Sequence, residues 1–274
     1  MKIIEICGPP CSGKTYIYNK LKKKFNKKIF DPENLILNNI EKYIDLNLKE
    51  KASLFYFKNS NFFKKKIKSD SFKKAIKKAI KKKVNNQNLS NFFLVEYNKL
   101  CEKLYTVLKK KNPKFFLLVE KKIFKELKIL DKKNNKRWFY ECICKFYIAK
   151  NLKLKKITIF DEGILQRLSM IIKLNKKKNV LNDLFKLADL SDVILLKDSK
   201  IKDLKARSIK RSVINNQFKY KDNNQINDYK QYFQKLRKFL LKKKETKIID
   251  INKNNINVKQ LYLYLNKKLF TTDN

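Results

Sequence analysis

The stretch MKIIEICGPPCSGKTYIYNKL, residues 1–21, decides the fold. An apolar run at residues 2–7 predicts a buried strand, and apolar residues at helical spacing predict a helix over 14–25. Between them, GPPCSGKT at residues 8–15 matches the pattern GxxxxGK[ST] in full. This pattern is specific when it follows a strand and opens a helix, which is the context here. We therefore interpret residues 8–15 as a phosphate-binding loop rather than an ordinary turn.

Each residue type in this loop has a physical task. Gly8 and Gly13 let backbone N–H groups converge on phosphate oxygens without obstruction by a side chain. Lys14 is expected to reach the β- and γ-phosphates, and the Thr15 hydroxyl is expected to ligate Mg²⁺. ATP and Mg²⁺ are therefore the predicted cofactors. The predicted nucleotide-binding residues are Gly8, Pro9, Pro10, Cys11, Ser12, Gly13, Lys14 and Thr15.

A second stretch, ITIFDEGILQR at residues 157–167, supplies the acid that such a loop needs. Asp161 follows a hydrophobic strand and is predicted to hold Mg²⁺ together with Thr15. If the strand continues, Glu162 faces the opposite side, where it activates an acceptor hydroxyl or a water, or orients a Mg²⁺-bound water. Gly163 lets the chain turn close to the phosphates. Arg167 follows one helical turn later.

Glycine is scarce, and its positions are informative. The chain has 274 residues and three glycines, Gly8, Gly13 and Gly163, all within the two stretches quoted above. A composition that disfavours glycine is expected to retain it where no other residue fits. This pattern favours a functional role for both stretches.

The net charge of +44 has two explanations. A polyanion partner is one of them, because basic proteins bind nucleic acids and anionic surfaces. An AT-rich genome is the other, since it enriches lysine, asparagine and isoleucine and depletes glycine and proline. The lysines spread over nearly every segment instead of forming one stripe, so we favour the compositional explanation. Nucleic acid is thus a possible partner that we do not favour.

Other sequence features limit the class of protein. No uncharged apolar run of roughly 18 residues predicts a membrane span, and no signal-peptide pattern opens the chain. The five cysteines are unpatterned and histidine is absent, which excludes a mixed Cys/His metal site and favours reduced thiols. A cytoplasmic location is therefore expected. The oligomeric state is not predictable from these features.

Strands and helices alternate along much of the chain. Strands are predicted at 155–162, 191–198 and 245–252, and KKIFDPEN predicts a short one ending at Asp31-Pro32. Alternation predicts parallel pairing. We expect an α/β P-loop NTPase fold of three layers, with about five parallel strands and helices on both faces. Residues 1–274 are predicted to form a single domain, with a large helical insertion of four to six helices over 33–153 on the substrate side.

GPPCSGKT, FDEGILQR and LLKDSKIKDLKARSIKR, in this order, resemble the P-loop kinases of the nucleoside and nucleoside-monophosphate kinase group, including thymidylate-kinase-like proteins. The DEG form is similar to uncharacterised bacterial P-loop proteins. The resemblance implies a lid helix whose Arg207 and Arg211 contact phosphates, and an acceptor site near Asp31 and Glu33. DEG replaces the Asp-Arg or Glu-Arg of deoxynucleoside kinases, so Arg167 becomes the candidate acceptor-site arginine.

The resemblance predicts a kinase that transfers the γ-phosphate of ATP to a small acceptor: a nucleoside, a nucleotide or a sugar-like molecule. The predicted catalytic residues are Lys14, Asp161, Glu162, Arg207 and Arg211, and the predicted acceptor-site residues are Asp31, Glu33 and Arg167. An ATP-dependent binding or assembly protein, with a basic polyanion-binding insertion, is the alternative. A regulatory GTPase is disfavoured because no N-K-x-D motif is present, and a transporter ATPase because its glycine-rich signature is missing.

Overall fold

The structure is a computed structural model. It describes residues 1–58, 86–111, 113, 116–117, 129–166, 191–215, 223–242, 247–252 and 257–270. Arg167, a predicted acceptor-site residue, lies outside the described residues.

One parallel sheet forms the centre of the described structure. Its strands are β1 (Lys2–Cys7), β2 (Ile157–Phe160), β3 (Val193–Leu196) and β4 (Lys247–Asp250), in the spatial order β2-β1-β3-β4. β1 pairs with β2 in the register Ile4↔Ile159 and with β3 in the register Ile6↔Leu195. Because all pairs are parallel, the carboxyl ends of all four strands lie at the same edge of the sheet. The predicted α/β class is confirmed.

The strand predicted before Asp31 is reduced to a single bridge. Ile29 bridges to Ile157, and the N–H of Phe30 donates to the carbonyl of Ile157 at 2.7 Å. A 3₁₀ turn at Asn26–Lys28 comes just before, and Pro32, which has no N–H to donate, follows. The 3₁₀ turn and Pro32 leave few residues between them for a strand. The expectation of about five strands is therefore corrected to four strands and one bridge in the described residues.

Helices precede and follow the strands along the described chain. The helices are α1 (Lys14–Phe25), α2 (Glu33–Asn39), α3 (Leu48–Lys58), α4 (Asn86–Lys111), α5 (Ile129–Asn151), α6 (Ile201–Asn215), α7 (Asn223–Lys242) and α8 (Val258–Phe270). Residues 14–25 form the predicted helix after the phosphate-binding loop.

Helices cover both faces of the sheet, because alternate residues of β1 point to opposite sides. One side carries Ile4 and Ile6, which belong to a core cluster with residues of α1 and α8: Ile17, Leu21, Phe25, Leu261, Leu265 and Leu269. On the other side, Cys7 packs with α7 residues, and Ile3 packs with α2, α4 and α5. Burial of each of these Ile, Leu and Phe side chains stabilises the fold by about 2 kcal/mol. The three-layer arrangement follows from this alternation.

The helical segment between β1 and β2 packs against the end of β2. Phe146 of α5 stacks on Phe160, the last residue of β2, with ring centroids 4.2 Å apart. Both rings are nearly fully buried. Since Phe160 immediately precedes Asp161, this contact brings α5 to the edge of the predicted phosphate site.

Candidate functional site

The phosphate-binding loop joins β1 to α1 in a conformation that depends on glycine. Gly13 has φ of +96°, a left-handed conformation that L side chains rarely adopt. At Gly8 a Cβ would lie 2.0 Å from the backbone carbonyl oxygen of Lys197, which follows β3. The strand and loop therefore approach each other as closely as they do only because residue 8 has no side chain. Cys11 also has a positive φ, of 62°, and it is buried.

Lys14 turns its ammonium group back into the loop. Its Nζ donates to the carbonyls of Gly8 at 2.9 Å and Pro9 at 3.0 Å, and the residue is 7% exposed. Burial lowers the pKa of this ammonium group, while the charges of Glu162 and Asp161 act in the opposite direction. A buried cation surrounded by backbone dipoles is suited to neutralise an anionic ligand held by the loop.

Thr15 and Asp161 lie together although 146 positions separate them in the chain. The Thr15 hydroxyl donates to Oδ2 of Asp161 at 3.2 Å. Burial raises the pKa of Asp161, and the neighbouring Glu162 raises it further. The two side chains offer hard oxygen atoms, the ligands that Mg²⁺ prefers. They fit a magnesium site of the kind completed by water and phosphate oxygens. No cluster of three or more metal-ligating side chains occurs in the described part of the chain.

Glu162 does not lie on the side of the sheet opposite to Asp161. β2 ends at Phe160 and residues 161–162 form a turn, so the pleat does not continue through them. Asp161 and Glu162 line one cleft, and the negative charge of each acts to raise the pKa of Lys14. The expected alternation depended on a strand that continues through Glu162, and this condition is not met.

A buried glutamate in β1 is hydrogen-bonded to the residue that contacts the start of the phosphate-binding loop. Glu5 of β1 is fully buried, and its carboxylate accepts the backbone N–H of Gln166 at 3.0 Å and the Ser191 hydroxyl at 3.3 Å. The Gln166 side chain in turn accepts the N–H of Gly8 at 3.0 Å. Burial raises the pKa of Glu5 to about 7. At Gly163 a Cβ would lie 2.4 Å from the carboxyl carbon of Glu5, so glycine is needed here for close approach.

Arg207 of α6 lies against the phosphate-binding loop. Its Nη1 donates to the Ser199 hydroxyl at 3.2 Å and to the carbonyl of Cys11 at 3.4 Å. The Ser199 hydroxyl donates to the carbonyl of Ser12 at 3.0 Å, which ties the start of α6 to the same loop. Arg211 lies one turn further along α6 and is half-buried. The two predicted lid arginines therefore share a helix that begins at the loop.

The predicted acceptor-site acids are held in ion pairs. Asp31 pairs with Lys22 of α1. Glu33, at the start of α2, pairs with Lys145 of α5 at 2.9 Å, and Lys145 also pairs with Glu141 at 2.8 Å. Lys145 is buried, and its chain neighbours Cys144 and Phe146 are buried as well.

A cleft joins these acids to the phosphate site. Its volume is about 390 Å³, and its lining residues are Tyr18, Asp31, Pro32, Glu33, Glu141, Cys142, Lys145, Phe160, Asp161 and Glu162. The structure thus places four predicted site residues, Asp31, Glu33, Asp161 and Glu162, around one cavity.

The sequence does not single out several residues of this site, among them Glu5, Gln166, Glu141 and Lys145. Glu5 could have been recognised from the sequence, because an acidic residue in an apolar strand requires hydrogen-bond partners when it is buried. Lys145 carries a similar signal in the apolar sequence CICKFYIA. No local pattern could have named Gln166 or Glu141, whose roles depend on contacts with distant segments.

Comparison with known proteins gives three results. Residues 1–99 match the family described as "Chromatin associated protein KTI12". No curated protein sequence matches the chain. The chain is similar to the solved structure of a deoxyadenosine kinase from M. mycoides with the products dCMP and a flexible dCDP bound, at 15% sequence identity and a TM-score of 0.38, over 98% of this chain and 99% of that chain.

The described helices also bear on membrane insertion. None of them combines the length and apolar character that crossing a bilayer requires.

Proposed function

We propose that this protein is a Mg²⁺-ATP-dependent phosphotransferase that phosphorylates a small acceptor, as thymidylate-kinase-like P-loop kinases do. One observation carries the proposal: the Thr15–Asp161 hydrogen bond joins the phosphate-binding loop to the wall of a cleft. A phosphate held by the loop and an acceptor held in the cleft would meet beside Asp161. Bringing two reactants together in this way is a large part of phosphoryl-transfer catalysis.

The residues of the loop bind and orient the triphosphate in this account. Backbone N–H groups of residues 8–15, together with the N-terminus of α1, hold the phosphate oxygens. Lys14 and Arg207 compensate the negative charge on the γ-phosphate as it is transferred, and Arg211 reaches the same phosphates from one turn further along α6. Thr15 and Asp161 would hold Mg²⁺. When bound, the ion supplies charge neutralisation at the β- and γ-phosphates.

The acceptor hydroxyl attacks the γ-phosphorus from the cleft. An oxygen–phosphorus bond forms, the bond to the β–γ bridging oxygen breaks, and ADP leaves with that electron pair. A carboxylate takes the hydroxyl proton. Glu162 is our first choice for this base because it adjoins Asp161 and lines the cleft, and Asp31 and Glu33, which line the same cleft, are the alternatives.

An acceptor screen tests the proposal. The purified chain is incubated with Mg²⁺-ATP and a panel of nucleosides, nucleotides and sugars, and both ADP release and a phosphorylated product are measured. Acceptor-dependent ADP release with a matching phosphorylated product is the expected result. ATP binding without a phosphorylated product from any panel member would contradict it.

A second candidate function is nucleotide-dependent binding or assembly, in which the basic helical segment over 33–153 binds a polyanion. The net charge of +44 and the "chromatin associated" description of the family matched by residues 1–99 favour it. Under this candidate, nucleic acid stabilises the protein against heat, with a steep salt dependence, and acceptors are not phosphorylated. That function implies a nuclear location, whereas a cytoplasmic location stays our prediction for the kinase.

A further inference from the structure

The cleft beside Asp161 has a charge opposite to that of the chain as a whole. The chain carries 69 basic and 25 acidic residues. Yet five acids line this one cavity, Asp31, Glu33, Glu141, Asp161 and Glu162, and Lys145 is the one cation among the described residues that line it. Lysine is therefore rare in the lining that the structure describes, although it is abundant nearly everywhere else in the sequence. The excess of acidic residues in the lining therefore constrains the charge that a ligand of this cavity can carry.

We propose that the cleft accepts a hydroxyl compound without negative charge, a neutral polyol or an amino alcohol, and rejects acceptors that already carry a phosphate or carboxylate. This inference rests on the phosphotransferase function proposed above and names the substrate class of that same site.

Lys145, the one cation in the described part of the lining, is committed to protein carboxylates. Lys145 lies between Glu33 and Glu141, at 2.9 Å and 2.8 Å, and its side chain is 9% exposed. Burial alone would lower its pKa, but the two carboxylates outweigh burial and raise it. An acceptor phosphate would have to displace one of these carboxylates and would then face the other. Lys145 is consequently unsuited to recognise an anion.

The ammonium group of Lys22, also near the cleft, is committed in the same way. Lys22 pairs with Asp31, which lines the cavity. Arg207 points to the phosphate-binding loop, where it contacts Ser199 and Cys11. The described cations around the site thus serve either protein carboxylates or the predicted triphosphate position.

The carboxylates define what the acceptor must offer. Ionised carboxylates only accept hydrogen bonds, so they complement a ligand with several O–H or N–H donors. A phosphate placed among them would meet like charges, and such juxtaposition disfavours binding. Tyr18, Pro32 and Phe160 add apolar surface against which the carbon skeleton of an acceptor could pack. Donor groups on a compact skeleton therefore match this lining.

The test compares matched acceptors that differ in charge. The full chain with Mg²⁺-ATP is given thymidine or thymidine 5′-monophosphate, and glucose, glucosamine or glucose 6-phosphate, and kcat/KM is measured for each. We expect uncharged or amine-bearing members to exceed their phosphorylated partners about tenfold or more. Preference for the phosphorylated members would overturn this inference and leave the phosphotransferase function intact. Failure to phosphorylate any member would overturn both.

A substitution that removes a carboxylate charge but keeps the side-chain volume tests whether charge or shape causes the discrimination between acceptors. Glu141→Gln removes one partner of Lys145 with little change in volume, so discrimination against the phosphorylated member should shrink about fivefold or more relative to wild type. Glu41→Gln is the matched control, because Glu41 is exposed and does not line the cleft. Unchanged discrimination in Glu141→Gln, with wild-type thermal stability, would also overturn the inference.

Discussion

The carboxylate of Glu5 accepts the backbone N–H of Gln166, and the side chain of Gln166 accepts the N–H of Gly8. One buried acid in the central strand is therefore connected both to the segment that follows Asp161 and to the first residue of the phosphate-binding loop. Gln166 of the second sequence stretch is thus bonded directly to the first residue of the phosphate-binding loop, and Glu5, which lies outside both motifs, holds the backbone of Gln166.

The titration of Glu5 predicts a pH-dependent stability. Burial raises the pKa of Glu5 from its ordinary value near 4.5 to about 7. Its favourable contribution is therefore complete below about pH 4.5 and is lost as pH rises through about 7. Relative to Glu5→Gln, which does not titrate, wild type should lose on the order of 2 kcal/mol of unfolding free energy between pH 5 and pH 8. Urea denaturation at several pH values measures this difference.

The control for this experiment is Glu41→Gln, which alters an exposed carboxylate. Its difference from wild type should stay constant over the same pH range. A constant difference for Glu5→Gln as well would show that Glu5 does not titrate with a raised pKa in the folded protein.

Gly163 and Glu5 should be energetically coupled. A Cβ at residue 163 would overlap the Glu5 carboxyl group, so Gly163→Ala should destabilise the protein by about 2 kcal/mol or more. In a Glu5→Ala background the obstruction is gone, and the same change should cost much less. Chemical denaturation of the two single variants and the double variant gives the coupling energy. Strict additivity would contradict the close approach of these residues.

Arg207 should affect transfer far more than folding. Its guanidinium group lies at the loop carbonyl of Cys11 and the hydroxyl of Ser199, close to the predicted γ-phosphate position. Arg207→Ala should lower kcat by about 100-fold, and Arg207→Lys should restore little of it, because an ammonium group lacks the planar fork. Lys205→Ala, at an exposed position of the same helix, should keep wild-type kcat. Full rescue by lysine would indicate that charge alone suffices.

Lys145 should stabilise the cleft wall. Lys145→Met leaves Glu33 and Glu141 beside each other without their cation, and Glu141 is half-buried. We expect the free energy of unfolding to fall by about 1–3 kcal/mol, with partial recovery in Lys145→Met/Glu141→Gln. Lys150→Met, at an exposed position of α5, should change it by less than about 0.5 kcal/mol. Equal effects at the two lysines would show that the buried ion pair has no structural importance.

The sequence was most informative where function depends on a contiguous segment. Gly13 supplies the positive φ that the loop over residues 8–15 requires, and the helix that follows begins at Lys14 as predicted. The pairing of Thr15 with Asp161 could also be anticipated, because parallel strands bring their carboxyl ends to one edge of the sheet.

The remaining features depend on contacts between distant segments. Because β2 ends at Phe160, Glu162 lines the same cleft as Asp161. The alternation of residues in a strand does not show where the strand ends. Lys145 enters the cleft because α5 packs against β2 through Phe146 and Phe160. Helical periodicity predicts that α5 exists, but it does not predict which strand α5 packs against.

The most direct test of the central claim compares phosphate transfer from ATP by wild type, Lys14→Ala and Lys20→Ala, using the best acceptor of the screen. Lys20 is an exposed lysine on the same helix, and circular dichroism establishes that each variant is folded. The phosphotransferase account predicts that Lys14→Ala is folded but forms no phosphorylated product, while Lys20→Ala retains wild-type turnover. Full turnover by a folded Lys14→Ala variant would contradict it.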